Sequence, residues 1–387
     1  LIIFLQYFIV MIILQANEIK DTTMSSQNNS KPASSFEADG HATLIGSIPL
    51  ASHDAALELV FKHTPHIPLW PQLPGNRLEG MLLQFNEGLP GISSEGERVF
   101  FNTRSDHFEA DQLAFFEEYL EVAENFAKLA DSRFKVSPGH AKGLYTLMEM
   151  IKGRDGVLAL KGQITGPFTL LTGIADQDNR AGYYDPTLRE MITKGLAMKA
   201  AWQVTFLKKA GKPVIVFIDE PALAGLGSSS FISISKEDIS TDQTEMIEAI
   251  HQAGGLAGIH VCANTDWALL LSLDFDILNF DAYGFFDRLV SFKNEVHAFL
   301  ARGGIIAWGL IPTSEKEHIL AENADSLVAR WEAQASQLVN NDWNMSDLLR
   351  RSLITPSCGT GALTADLAAR VLELTREVSE RLREKYL

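Results

Sequence analysis

Residues 213–223 read Pro-Val-Ile-Val-Phe-Ile-Asp-Glu-Pro-Ala-Leu, an apolar run that stops on two carboxylates and a proline. A half-exposed strand alternates polar and apolar residues. A run that is apolar at every position is a strand covered on both faces, as in parallel sheets packed under helices. Further strand candidates lie at residues 43–48, 66–70, 157–164, 256–261, 276–281, 303–309 and 352–355. Helical patterns separate several of them, at residues 111–130, 186–210, 242–253, 286–301 and 324–338. Strands alternating with helices predict an α/β protein. Eight strand candidates favour a (β/α)8 TIM barrel over an open doubly wound sheet, with residues 75–156 as a helical excursion between the second and third strands.

In such a barrel the chemistry sits at the carboxyl ends of the strands. Ser47, Asp219, Glu220, His260, Cys262, Asp281 and Cys358 all fall at or just beyond the ends of expected strands, and Lys161 and Gln163 are near the end of the third. Residues two apart on a strand share a face, so His260 and Cys262 can both look into the barrel mouth. Cys358 follows the eighth strand in the glycine-containing turn Ser357-Cys358-Gly359-Thr360-Gly361. One imidazole and two thiols are three ligands for tetrahedral Zn²⁺, with a position left for substrate. Two other readings stand beside this one: cysteines packed as small apolar side chains, and a disulfide joining them. A zinc carrying two thiolates suits thiol alkylation better than hydrolysis. Coordination strips the proton from an incoming thiol whose free pKa is about 8.5.

Composition narrows the classes further. Of 387 residues, 46% are hydrophobic and 21% charged, which is enough apolar material for a substantial core and excludes disorder as the main state. A net charge of −16 leaves no broad basic surface, so nucleic acid and anionic membranes are not expected partners. No Walker-type loop and no Gly-x-Gly-x-x-Gly after a strand point to ATP or a nicotinamide cofactor. Two cysteines suit a cytoplasmic protein. The apolar run at residues 1–14 is shorter than the ~20 residues of a membrane span. It also lacks the charged flank and cleavage site of a signal peptide. Residues 1–23 are read as an apolar leader produced by a start-site error, with Met24 the natural start, 24–40 as a disordered polar tail, and 41–387 as one barrel domain.

The pair His260-Val261-Cys262 and Cys358-Gly359, the run Asp219-Glu220-Pro221-Ala222-Leu223, Ile45-Gly46-Ser47 and Gly166-Pro167 together resemble one barrel superfamily. It contains the catalytic carboxyl-terminal domain of cobalamin-independent methionine synthase, uroporphyrinogen decarboxylase and the corrinoid methyltransferases. The resemblance implies methyl transfer to a zinc-bound thiol, with homocysteine the leading acceptor. It implies that Ile45, Gly46 and Ser47 hold the substrate carboxylate and that Asp219 meets its ammonium group. Asp219 and Glu220 are then the catalytic pair, the opposed reading being a structural pair that caps the turn after the strand. Glu87 is a further candidate substrate contact. The synthase's fourth zinc ligand, a glutamate on the sixth strand, corresponds here to Asp281. After the seventh strand, Trp308-Gly309-Leu310-Ile311-Pro312-Thr313 offers no histidine where the synthase uses one to release the folate methyl group. The expected donor is therefore a methylated corrinoid carried by a partner protein, rather than methyltetrahydrofolate. Two competing functions use the same barrel: a metal-free decarboxylase, and a non-catalytic barrel that binds a thiol or a corrinoid protein.

Overall fold

In the computed structural model, which describes residues 36–387, a short antiparallel hairpin of β1 (Ile92–Glu95) and β2 (Arg98–Phe101) lies within the excursion. The leader and most of the polar tail expected from the sequence fall outside the described residues. Six strands then pair in chain order, all parallel: β3 (Leu160–Thr165), β4 (Val214–Asp219), β5 (Leu256–Val261), β6 (Ile277–Phe280), β7 (Ile305–Ile311) and β8 (Ser352–Pro356).

The apolar runs are explained by what covers each face. Val214, Val216 and Ile218 of β4, with Ile259 and Val261 of β5 and Leu278 and Phe280 of β6, pack into the large core shared with the surrounding helices. The intervening Ile215 and Phe217, with Ile277, Ile305, Ala307 and Leu353, bury into a separate, smaller cluster on the other face. Strict alternation between two dry clusters is the geometry of a sheet curled around its own plug. Gly258 makes room for that plug, since a Cβ there would sit 2.4 Å from the Phe217 ring.

Among the described residues, the eight ladders of a complete (β/α)8 barrel are not all present. The expected first and second strands are extended segments held by single parallel bridges, Ala42 to Ile354 on β8, Ser47 to Gln72, and Leu69 to Lys161 on β3. Proline accounts for this in the second segment. Pro68 and Pro71 have no N–H to donate, so a continuous ladder cannot form through them. Scattered bonds tie these segments in instead, among them Lys161 N–H to Pro68 O at 3.0 Å and Ile48 N–H to Gln72 O at 2.9 Å.

Packed chain also begins earlier than the sequence suggests. Phe36 and Ala38, expected in the polar tail, are buried in the plug cluster. The long helix expected at residues 286–301 is two helices, Ala282–Leu289 and Lys293–Ala301. Among the described residues, no helix is long and apolar enough to cross a membrane.

Candidate functional site

Above the apolar plug, the same face of the sheet turns polar toward the strand ends. Lys161, Gln163, Asp219, His260, Asn279 and Thr355 are all buried there. Register sets their level: Asp219 pairs with His260, and His260 with Asn279. Gly309 lets the ends of β6 and β8 close in, because a Cβ there would lie 2.5 Å from Phe280 O and 2.9 Å from Ser357 Cα.

This convergence brings His260, Cys262 and Cys358 together from β5 and the turn after β8. A ring nitrogen of His260 and the two sulfurs all lie within 4.8 Å of one another. The Cys262 thiol is drawn down to about 4, chiefly by the Cys358 thiol beside it and then by His260. Cys358 is pushed up, by its contact with Cys262 and by burial. Of the two sulfurs, Cys262 is the one that ionises first. His260 Nδ1 is bonded to Asn279 Oδ1, while Nε2 is buried with no nitrogen or oxygen partner and faces the Cys262 sulfur; against the effect of burial, that contact and the Asp219 carboxylate raise the imidazole above its ordinary value. A buried ring nitrogen with no nitrogen or oxygen partner, facing two sulfurs of which one is readily ionised, is a donor set that fits a soft divalent ion such as zinc.

Asp219 ends β4 on the same face. Its Oδ1 is buried and unpartnered, and burial pushes its carboxyl up to about 6 against the pull of His260 and Lys161. Lys161 is fully buried beneath the loop of residues 45–47, donating to Ile45 O at 2.6 Å with its Nζ 4.3 Å from the centre of the Phe217 ring. Burial lowers its ammonium to about 7, against the pull of Asp219. Ser47 Oγ accepts from Gly361 N–H at 3.1 Å, which places the Ile45-Gly46-Ser47 loop against the Cys358 turn. Glycine is required for that approach: a Cβ on Gly359 would sit 2.2 Å from Ser47 Oγ.

Three expected site residues have other partners. Glu220 follows an inward-facing residue and so points away from the mouth. Its Oε1 accepts from Phe168 N–H at 3.0 Å and Gln243 Nε2 at 2.7 Å, and its Oε2 from Thr169 N–H at 2.8 Å and Thr169 Oγ1 at 2.6 Å. It caps the helix Pro167–Gly173, whose own N-cap Gly166 has no side chain to do so. Asp281 is not in the group of close ligand atoms. Its carboxyl, raised by burial, instead caps the helix Ala282–Leu289, accepting from Gly284 N–H at 2.8 Å. Glu87 accepts from Ser137 N–H at 3.1 Å and lies 3.3 Å from His140 Nδ1, within the excursion.

Asn279 is the site residue that sequence reasoning passed over. The available signal was a lone amide within the apolar run Ile277-Leu278-Asn279-Phe280, one residue from the end of β6; its register with His260 comes from the sheet.

No protein-family model matches this chain, and no curated protein matches it. Among solved structures, it is similar to a B12-independent methionine synthase from Shewanella sp. W3-18-1 in complex with selenomethionine, at 15% identity and a TM-score of 0.41. That similarity covers 59% of this chain and 63% of the synthase, so the chain spans less than two thirds of its length. It is also similar to the tandem GH20 catalytic modules of the pneumococcal exo-β-D-N-acetylglucosaminidase, at 9% identity and a TM-score of 0.44, covering 89% of this chain and 85% of that one. Likenesses this distant assign no activity.

Proposed function

We propose that this chain is a zinc-dependent S-methyltransferase on a (β/α)8 barrel, moving a methyl group to a thiol. The acceptor in this reading is homocysteine, giving methionine, and the donor is a methyl-corrinoid protein. The observation that carries it is the meeting of His260, Cys262 and Cys358 within 4.8 Å, beside a buried, unpartnered Asp219 oxygen.

Zinc held by His260, Cys262 and Cys358 would supply a position where a thiol gives up its proton yet keeps a nucleophilic sulfur. The surrounding side chains orient the rest of the acceptor. Asp219 Oδ1 accepts from the ammonium group, and that contact favours its charged form over the one burial favours. The Ser47 hydroxyl, which accepts from Gly361, still has its own proton to donate to the substrate carboxylate. Lys161 fixes the Ile45 carbonyl and so holds the residue 45–47 loop in place. With the acceptor pinned at both ends, its sulfur attacks the methyl carbon and the bonding pair leaves with the donor. Methyltetrahydrofolate needs its amine protonated before it leaves, whereas a methyl-corrinoid does not.

The test is a methyl-transfer assay on the purified protein, comparing methylcobalamin with methyltetrahydrofolate across homocysteine, coenzyme M and simple alkyl thiols. Turnover of homocysteine with methylcobalamin supports the reading. No turnover with any thiol by the zinc-loaded protein contradicts it.

A further inference from the structure

The contacts of Asn279 determine the protonation of His260, provided they are followed in the direction chemistry allows. Asn279 Nδ2 lies 2.9 Å from Ala307 O and 2.8 Å from Thr355 Oγ1. A main-chain carbonyl can only accept, so the Asn279 atom facing it must be the amide nitrogen. The other amide atom, facing His260 Nδ1, is then the oxygen, which also can only accept. His260 Nδ1 must therefore carry the ring proton, and in the neutral imidazole Nε2 is left with its lone pair. Nε2 is the buried nitrogen without a nitrogen or oxygen partner, on the side of the two sulfurs. The Thr355 hydroxyl both donates and accepts, so it cannot set this direction. The Ala307 carbonyl can.

We infer that Asn279 is a positioning residue that locks His260 in the Nδ1–H tautomer, relaying the polarity of the Ala307 carbonyl on β7 across β6 to the histidine on β5. Strand register makes the relay possible, since His260 pairs with Asn279 and Asn279 with Ala307 at one level of the sheet. The inference deepens the metal reading and rests on it for its purpose: a histidine already holding its lone pair toward two sulfurs meets an ion without reorganisation.

Two measurements on the full-length chain separate this inference from the metal reading. Long-range ¹H–¹⁵N NMR of histidine-labelled protein stripped of metal, at a pH alkaline enough for the His260 ring to be neutral and with His260 assigned by subtraction using His260→Gln, reports the tautomer directly. The expected result is Nδ1–H in the wild type and in Thr355→Val, with an Nε2–H population appearing in Asn279→Ala. Zinc affinity by chelator competition should fall roughly 10- to 100-fold in Asn279→Ala and stay within about threefold in Thr355→Val. An Nε2–H tautomer in the wild type would overturn the inference, as would Asn279→Ala keeping both the Nδ1–H form and the wild-type affinity. A wild-type chain that binds no zinc would instead sink the metal reading, while the tautomer measurement, which needs no zinc, still decides the relay.

Discussion

Removing the Glu220 carboxylate should cost stability and spare the metal centre. The carboxylate is fully buried and accepts four hydrogen bonds. In Glu220→Ala, the Gln243 amide and the Thr169 hydroxyl can turn toward other partners. The main-chain N–H groups of Phe168 and Thr169 cannot, because they are fixed at the start of the helix Pro167–Gly173. A buried donor left unpaired costs ~1–3 kcal/mol, so two of them cost about 4 kcal/mol. That is a large share of a typical folding free energy of ~5–15 kcal/mol. At roughly 2 °C per kcal/mol for a chain of this size, Tm should drop by about 8 °C. Glu220→Gln keeps an acceptor for one of the two N–H groups and should lose about half as much. Differential scanning calorimetry measures the loss, and metal analysis of the folded fraction should show unchanged zinc. A Tm within ~2 °C of wild type together with lost zinc or turnover would refute the structural role and return Glu220 to the site.

Two further outcomes follow from buried titratable groups. Asp219→Asn removes the charge expected to meet an ammonium group. A hydrogen bond to a charged group is worth ~1.5–3 kcal/mol, so homocysteine should bind about 10- to 150-fold more weakly, with little change for a thiol that has no amino group; equal losses for both thiols would remove the proposed role. His41 is held neutral down to about 3 from an ordinary 6.5, chiefly by burial and then by Arg383 and His66. Its folded value lies below its unfolded one, so unfolded chain takes up the proton first and this contribution to stability is lost as pH falls below about 6.5. The loss approaches at most ~1.4 kcal/mol per pH unit. Urea unfolding of wild type and His41→Asn between pH ~7 and ~4.5 should show a shallower decline in the variant, and parallel profiles would count against the assignment.

The order of the six paired strands could be read from the sequence because each is buried on both faces, and a run such as Val214–Asp219 has no other common explanation. The first two were harder. Pro68 and Pro71 leave a segment that has the apolar character of a strand without the donors of one. At the site, the spacing of His260 and Cys262 put both on one face, and placing Cys358 beside them needed only that the strand ends converge. Glu220 could have been assigned by parity: if Asp219 faces the mouth, its neighbour cannot. Asp281 precedes Ala-Tyr-Gly-Phe-Phe, and an aspartate before a helical run is a capping signal that competes with a ligand role. Asn279 depended on cross-strand register between β5, β6 and β7, which a single sequence does not encode locally.

Zinc stoichiometry decides whether His260, Cys262 and Cys358 hold a metal. Atomic emission on the purified full-length chain should find close to one zinc per molecule, and Cys262→Ala and Cys358→Ala should each lose most of it while remaining folded. Wild-type protein without zinc after purification in its presence, or variants that keep the wild-type stoichiometry, would contradict the account.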